Sequence, residues 1–228
     1  MKTTGGSDAA KRDAGESAAD LVTDGTVVGL GTGSTAAHAI RALGRAVDSG
    51  LDIRGVPTSF ASRELAREAG IPLVDLDEVD GVDIAIDGAD QVAGGDLIKG
   101  GGAAHAREKI VDAAADRFVV VADPSKEVET LDHLVPVEVL PAARTTVASA
   151  VESAGGDPVL RDAEHKDGPV VTDNGNLVLD CDFGAIEAAA ALARTLSETP
   201  GVVEHGLFVG LADEVHVGTG EGVTVHEL

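Results

Sequence analysis

The sequence predicts an α/β protein, with a parallel-sheet domain and a second, smaller α+β domain. Three observations predict it. Four short apolar stretches alternate with Ala-rich segments of helical period, the pattern of βαβ units. Polar, Gly-rich turns stand at the ends of those stretches, where open α/β sheets take their ligands. After about Leu131 the rhythm changes to alternating strands and two further helices.

Ser7–Leu21 reads as a helix that precedes any strand. The four expected parallel strands are Thr26–Leu30 (TVVGL), Asp52–Pro57 (DIRGVP), Val82–Ile86 (VDIAI) and Arg117–Val121 (RFVVV). Helical periodicity lies between them at Thr35–Val47, Ala61–Ala69 and Ala103–Ala115. Beyond Leu131, Val135–Leu140 (VPVEVL) reads as an alternating strand. The segment PAARTTVASAVESAG reads as a helix ending at Gly155. DPVLRDA follows. VVTD and LVLDCDF then flank Asn174-Gly175, a hairpin signal. Gly184–Leu196 is expected to be a helix, and the tail Gly206–Val225 has short apolar pieces that could return to the first sheet. This places the first domain at residues 1–131 and 207–228 and the second at 132–206.

Composition bounds the function. The chain has 228 residues, 43% hydrophobic, with mean hydropathy +0.11. It can bury a full core without staples. Forty acidic against 17 basic side chains give a formal charge of -23. A phosphate backbone would be repelled, and four Phe with no Trp or Tyr build no stacking platform, so nucleic acid is excluded as a partner. The single cysteine, Cys181, excludes an internal disulfide and a Cys-based zinc site. No run reaches 18 apolar residues, so no membrane-spanning helix is expected. The first residues lack an apolar signal core, and a cytoplasmic address is expected. The acids are spread along the chain, with six Lys in all. That pattern fits a surface adapted to high salt better than one that docks basic partners.

Three turns carry the chemistry. The first, Gly29-Leu30-Gly31-Thr32-Gly33-Ser34-Thr35, follows a strand and opens a helix. Amides at a helix start, with Ser and Thr hydroxyls, suit a phosphate. It matches neither GxGxxG nor GxxxxGK. A plain strand-to-helix turn with Ser as cap explains it as well. The second, Asp87-Gly88-Ala89-Asp90, puts two carboxylates at a strand's mouth. They could bind sugar hydroxyls, hold a metal or move protons, or simply make turn hydrogen bonds. No HExxH spacing occurs and the seven His are scattered, so a metal is not expected. The third is the most informative. Lys99 precedes Gly100-Gly101-Gly102, a backbone that lets a ligand approach closely. A helix carrying Glu108 begins shortly after, with His105 as a neighbour. A fourth turn, Ala122-Asp123-Pro124-Ser125-Lys126, supplies another lysine.

In this order GLGTGSTA, DGAD, KGGGAAxxREKI and ADxSK resemble the ribose-5-phosphate isomerases of the A type. VVTDNGN and the tail GLF…AD…G…GV extend the likeness nearly end to end. The resemblance implies a Rossmann-like domain joined to a ferredoxin-like α+β domain. It implies interconversion of ribose 5-phosphate and ribulose 5-phosphate with no metal or organic cofactor, by a homodimer or homotetramer. Carried over by position, it implies Glu108 as the catalytic base, with Asp87 and Lys99 assisting. It implies a substrate pocket of Thr32, Gly33, Ser34, Thr35, Asp87, Gly88, Ala89, Asp90, Lys99, Gly100, Gly101, Gly102 and Lys126. Lys11 falls where the family has an N-terminal lysine near the phosphate. Gln91 departs from the pattern, because DGAD is often followed by Glu. An amino-sugar-phosphate deaminase, a phosphogluconolactonase or a non-catalytic sugar-phosphate sensor would share the phosphate and carboxylate turns. The Lys99…Glu108 spacing after DGAD argues against the two enzymes, and the absence of a DNA-binding segment argues against the sensor.

Overall fold

The computed structural model describes residues 5–228. In chain order the elements are α1 (Asp8–Ala19), β1 (Thr26–Leu30), α2 (Ser34–Asp48), β2 (Ile53–Pro57), α3 (Phe60–Glu68), β3 (Ile84–Gly88), β4 (Gln91–Ala93), β5 (Asp96–Ile98), α4 (His105–Ala113), β6 (Phe118–Ala122) and β7 (Val135–Val139). They continue as α5 (Arg144–Ser153), β8 (Asp157–Leu160), β9 (Leu177–Asp182), α6 (Ala189–Ser197), β10 (Val202–His205), β11 (Leu207–Val209), β12 (Glu214–Gly218) and β13 (Val223–Glu227). The described chain divides into two compact units. The larger takes residues 5–89, 107–127 and 211–228, and the smaller takes 90–106 and 128–210. Among the described residues no helix is long and apolar enough to cross a membrane.

The larger unit is built on a six-stranded sheet ordered β13-β12-β6-β3-β1-β2. Its neighbours are parallel except for the antiparallel edge strand β13. All of β6 and all but the first residue of β1 are buried, as parallel strands covered on both faces must be. Val28, Leu30, Ile84, Ile86, Val119 and Val121 form the centre of that core, with Ala14, Ala18, Ile40 and Leu43 from α1 and α2. Gly15 lets α1 lie close on α2, since a Cβ there would sit 2.7 Å from the Ala39 amide nitrogen. Chain order reverses at β1, with β2 on one side and β3 on the other. The connections diverge at such a switch point and leave a crevice at the carboxyl ends of β1 and β3.

The smaller unit strings β7-α5-β8-β9-α6-β10 into a four-stranded antiparallel sheet ordered β10-β7-β9-β8. That is the split βαβ arrangement of a ferredoxin-like fold. Its core is largely valine, from Val135, Val137, Val139, Val147 and Val151, with Leu179 and Cys181. A second sheet, β11-β5-β4, belongs to the same unit.

Several elements fall differently from the sequence reading. The β4–β5 hairpin was not anticipated. Because β5 pairs with both β4 and β11, residues 90–106 and 207–210 belong to the smaller unit instead of the first domain. Only β12 and β13 of the tail join the large sheet. The turn at Asn174-Gly175 is present, with Gly175 at φ +84°, but VVTD makes a single bridge, Val171 to Leu177. Both edges of β9 are already taken by β7 and β8. The loop is instead drawn to β7, where buried Glu138 Oε1 accepts from Thr172 Oγ1, Asn174 Nδ2 and Asn176 Nδ2 at 2.8–3.0 Å. The helix expected from Gly184 begins only at Ala189. Gly184 turns at φ +60°, and the Ile186 amide is held by the Leu131 carbonyl at 2.7 Å.

Candidate active site

The switch point is built from backbone. β3 runs two residues later than its apolar pattern suggests, so Asp87 lies inside the carboxyl end of the strand, with no exposure to solvent. Its Oδ1 accepts from the amides of Thr32 (2.9 Å) and Gly88 (2.7 Å). Gly31 is required for this approach. A Cβ there would lie 2.2 Å from Asp87 Oδ1 and 2.5 Å from its Cα. Two of the predicted turns therefore meet directly. The Thr32 hydroxyl, expected to face a ligand, is engaged with Ser59 Oγ (2.7 Å) and Thr58 Oγ1 (2.9 Å). Thr58 and Ser59 follow β2 and were not singled out, since no glycine marks that turn. Ser59 also caps α3 through a capping box with Ser62.

Beyond Thr32, Gly33 adopts φ +120° and α2 begins at Ser34 with no side-chain cap. Ser34 is exposed and Thr35 buried. A helix of 15 residues thus presents its first amides, and the positive end of its dipole, uncapped.

At the end of β6, buried Asp123 accepts from Ser125 N (3.0 Å) and Oγ (2.5 Å), which folds Pro124–Lys126 into a single 3-10 turn. Lys126 is buried as a result. The turn is closed over by Gly5 and Gly6, where a Cβ would meet Ser125 Oγ at 2.1 Å and Asp123 Oδ1 at 2.5 Å. Lys11 is half-buried on α1. Glu108 lies in the first turn of α4 and is 4% exposed.

In the smaller unit, Asp90 and the glycine run form one assembly. The Asp90 amide donates to the Ile98 carbonyl, and its Oδ2 accepts from the Gly101 amide at 2.7 Å. Gly100, at φ +103°, packs on buried His105, leaving no space for a Cβ. Ala103, at φ +60°, ends the loop and delays α4 to His105. Lys99 is 2% exposed, its Nζ 5.3 Å from the centre of the Phe208 ring. A ring face offsets part of the desolvation of an ammonium. Phe208, one of four Phe in the chain, was read only as an apolar piece of the tail.

Gln91 also acquires a role. Its Oε1 accepts from the amides of Asp132 and His133, both 2.9 Å, and its Nε2 donates to Asp132 Oδ1 at 2.5 Å. A Glu at this position could accept both amides but would face the Asp132 carboxylate. The amide removes that repulsion.

The profile of the family ribose 5-phosphate isomerase A (phosphoriboisomerase A) matches residues 54–222. This chain belongs to that family. It is 74% identical over 224 residues to the ribose-5-phosphate isomerase A of Haloarcula marismortui, covering 98% of both chains. To that of Halobacterium salinarum it is 63% identical over the full length of both. Among solved structures, the ribose 5-phosphate isomerase A of Methanocaldococcus jannaschii superposes with a TM-score of 0.91 at 48% identity, covering 96% of this chain and 98% of that one. A second D-ribose-5-phosphate isomerase, in complex with phospho-erythronic acid, gives 0.93 at 43% identity, covering 96% and 97%. The fold and the aldose–ketose isomerase activity expected from the motifs are those of the ribose 5-phosphate isomerase A family. Several of these relatives come from halophilic archaea.

Among the described residues no group of three or more His, Cys, Asp or Glu is placed to hold a metal ion. Cys181 is no nucleophile. Burial, with the charges of Asp180 and Asp157, pushes its thiol up to about 12.

Proposed function

We propose that this chain interconverts D-ribose 5-phosphate and D-ribulose 5-phosphate through an enediolate, with Glu108 as the base that carries the proton between carbons. Glu108 takes the proton from C2 of the open-chain aldose. The C2–H electron pair forms the C1–C2 double bond, and the carbonyl pair moves onto O1. A proton passes from the O2 hydroxyl to O1. Glu108 then returns its proton to C1 as the C2 carbonyl forms. Lys99 and the amides of Gly100–Gly102 stabilise the negative charge on the oxygens. Asp87, fixed by two amides, moves protons among the hydroxyls and assists opening of the furanose ring, and Asp90 holds a hydroxyl. The amides at the start of α2, with Ser34 and Thr35, hold the phosphate, and Lys126 and Lys11 supply cations.

The observation that carries this reading is the burial of Lys99, Lys126 and Glu108 in a chain with six lysines and a charge of -23. Charged side chains are seldom buried unless a charge or a ligand requires it. The relative that carries phospho-erythronic acid supports it further. In chemical form, that acid's carboxylate spreads negative charge over two oxygens, as an enediolate does. We further propose a cytoplasmic homodimer or homotetramer adapted to high salt, with neither nucleic acid nor membrane as partner. Its substrate, a small sugar phosphate, is the partner that the family supplies.

The test is Glu108→Gln, assayed by appearance of ketose from ribose 5-phosphate. A positioned acid–base group contributes roughly 10²–10⁴-fold, so kcat should fall by about 10³. KM and the affinity for phospho-erythronic acid should stay within a few-fold. Near-normal turnover would overturn the assignment.

A further inference from the structure

We propose that Arg161, at the end of β8, is the positioning residue that sets the orientation of the Lys99–Gly102 loop for catalysis. Its Nη1 donates to the carbonyls of Gly100 (3.0 Å) and Gly101 (3.3 Å). Its Nε donates to Asp180 Oδ2 at 2.9 Å, and its Nη2 to Asp180 Oδ1. The two side chains are 10% and 13% exposed. The fork of the guanidinium is thus locked on β9 by a two-pronged ion pair, while its remaining edge faces the glycine loop.

The geometry of the peptide unit gives this consequence. A trans peptide points its carbonyl and the next amide in opposite directions. The Gly100–Gly101 peptide is held at both ends, its oxygen by Arg161 and its N–H by Asp90. The Gly101–Gly102 peptide has its oxygen held by Arg161. Its N–H, on Gly102, is thereby turned away from Arg161. Three consecutive glycines have more backbone freedom than any other tripeptide. The Ala103 amide closes the turn on the Gly100 carbonyl at 2.9 Å, and Arg161 adds the hold on the Gly101 carbonyl, without which that dipole would sample several orientations. Donors that are already oriented stabilise developing charge without reorganisation. Arg161 also fixes the carbonyl side of the residue next to Lys99, whose own amide is held by the Gly206 carbonyl at 2.9 Å. Because Asp180 balances its charge, Arg161 can act on the loop through geometry and not as a second cation for the phosphate.

The inference rests on the reading of Lys99–Gly102 as the loop that meets the enediolate. Arg161→Met keeps the stem and removes the donors. Arg161→Lys keeps the charge and loses the fork. In both, kcat should fall roughly 10–100-fold while KM for ribose 5-phosphate stays within about three-fold, the signature of an interaction made only in the transition state. Affinity for phospho-erythronic acid should weaken by the same factor as kcat/KM. Circular dichroism and the melting temperature report folding. If Arg161→Met does not fold, Arg161→Lys, which retains an ion pair with Asp180, carries the test. Full turnover in either folded variant overturns the proposal. So does a loss of turnover that leaves phospho-erythronic acid binding unchanged. Glu108→Gln is assayed in parallel. If that variant keeps turnover, the reading of the active site fails; if it is inactive while a folded Arg161 variant is fully active, only the role of Arg161 fails.

Discussion

The two units hold the turns proposed to face the ligand by different means. In the larger unit the turn after β1 is fixed by the sheet itself. Gly31 donates to the Ile86 carbonyl, and Asp87 collects the amide of Thr32, so neighbouring parallel strands place one turn on the other. In the smaller unit the glycine loop lies beyond the end of β5. A backbone bond from the Ala103 amide to the Gly100 carbonyl (2.9 Å) closes the loop, and side chains hold the rest, with Asp90 on one N–H and Arg161 on two carbonyls. A turn held by a sheet is as stiff as the sheet. A turn held by side chains is as stiff as their rotamers, and here Asp180 and burial supply that stiffness. The contrast suits the proposed chemistry, in which one turn anchors an unchanging phosphate and the other follows a charge that appears and vanishes.

One glycine from each turn separates the two mechanisms most sharply. Gly31→Ala would drive a Cβ against both the carboxylate and the Cα of Asp87, at 2.2 and 2.5 Å. Backbone cannot swing aside, and we expect a loss of about 3 kcal/mol or more, at the upper end for overpacking. Gly101→Ala would meet Asp90 Oδ1 at 2.7 Å, the far end of a side chain that can rotate. We expect about 1 kcal/mol there. Denaturant titration of the two variants measures both. Equal losses would mean that the glycine loop is held as rigidly as the sheet.

The same contrast explains what could be read without coordinates. The first β-strand, Thr26–Leu30, was legible to the residue. A doubly covered parallel strand needs an unbroken apolar run, and a βαβ unit repeats it at short range. Asp87 and Thr32 could be singled out as candidates because each adjoins such a run. Arg161, Asp180 and Phe208 were not. Arg161 reaches Gly100 from 61 positions beyond it, Asp180 holds Arg161 from β9, and Phe208 meets Lys99 from 109 positions beyond it, through pairings that no local pattern encodes. The β4–β5 hairpin was missed for a related reason. Its strands have three residues each, too short for alternation to register. One signal was available for Arg161. In a chain with so few cations, a basic residue closing an apolar strand such as DPVL asks for a partner.

One arginine–carboxylate pair from each unit makes a further comparison, and acid should separate the two. In the smaller unit the Arg161 guanidinium, against the opposing effect of burial, holds Asp180 below its ordinary value of 3.8. In the larger unit Arg117 and His216 hold Glu214, likewise against burial, below 4.5. A carboxylate depressed on folding contributes stability that is fully present above its unfolded value and lost as pH falls through its folded one. Both pairs should therefore support the melting temperature at neutral pH and release that support below about pH 4. Arg117 is 41% exposed, and solvent screens its pair more than the buried Arg161–Asp180 pair. Melting temperature against pH for Asp180→Asn and Glu214→Gln checks this. Asp180→Asn should flatten the acid limb more. A larger effect at Glu214 would show that the ion pair on β8 and β9 is not the tighter of the two.

The smallest effect concerns the surface against the site. A charge of -23 is spread over a chain whose proposed ligand is itself an anion. At 0.1 M salt the field of those carboxylates extends about 10 Å, and at 1 M about 3 Å. Raising salt from low values should therefore weaken the repulsion that an approaching sugar phosphate meets at the surface. It should leave the buried Lys99, Lys126 and Glu108 nearly untouched, because ions do not screen groups that water does not reach. KM for ribose 5-phosphate should fall several-fold between about 0.1 and 1 M KCl, with kcat changing less. The melting temperature should rise over the same range as self-repulsion is screened. A KM that increases with salt in the folded enzyme would mean that the exposed field attracts the substrate. The surface and the site would then be working together, and not, as we propose, the site against its surface.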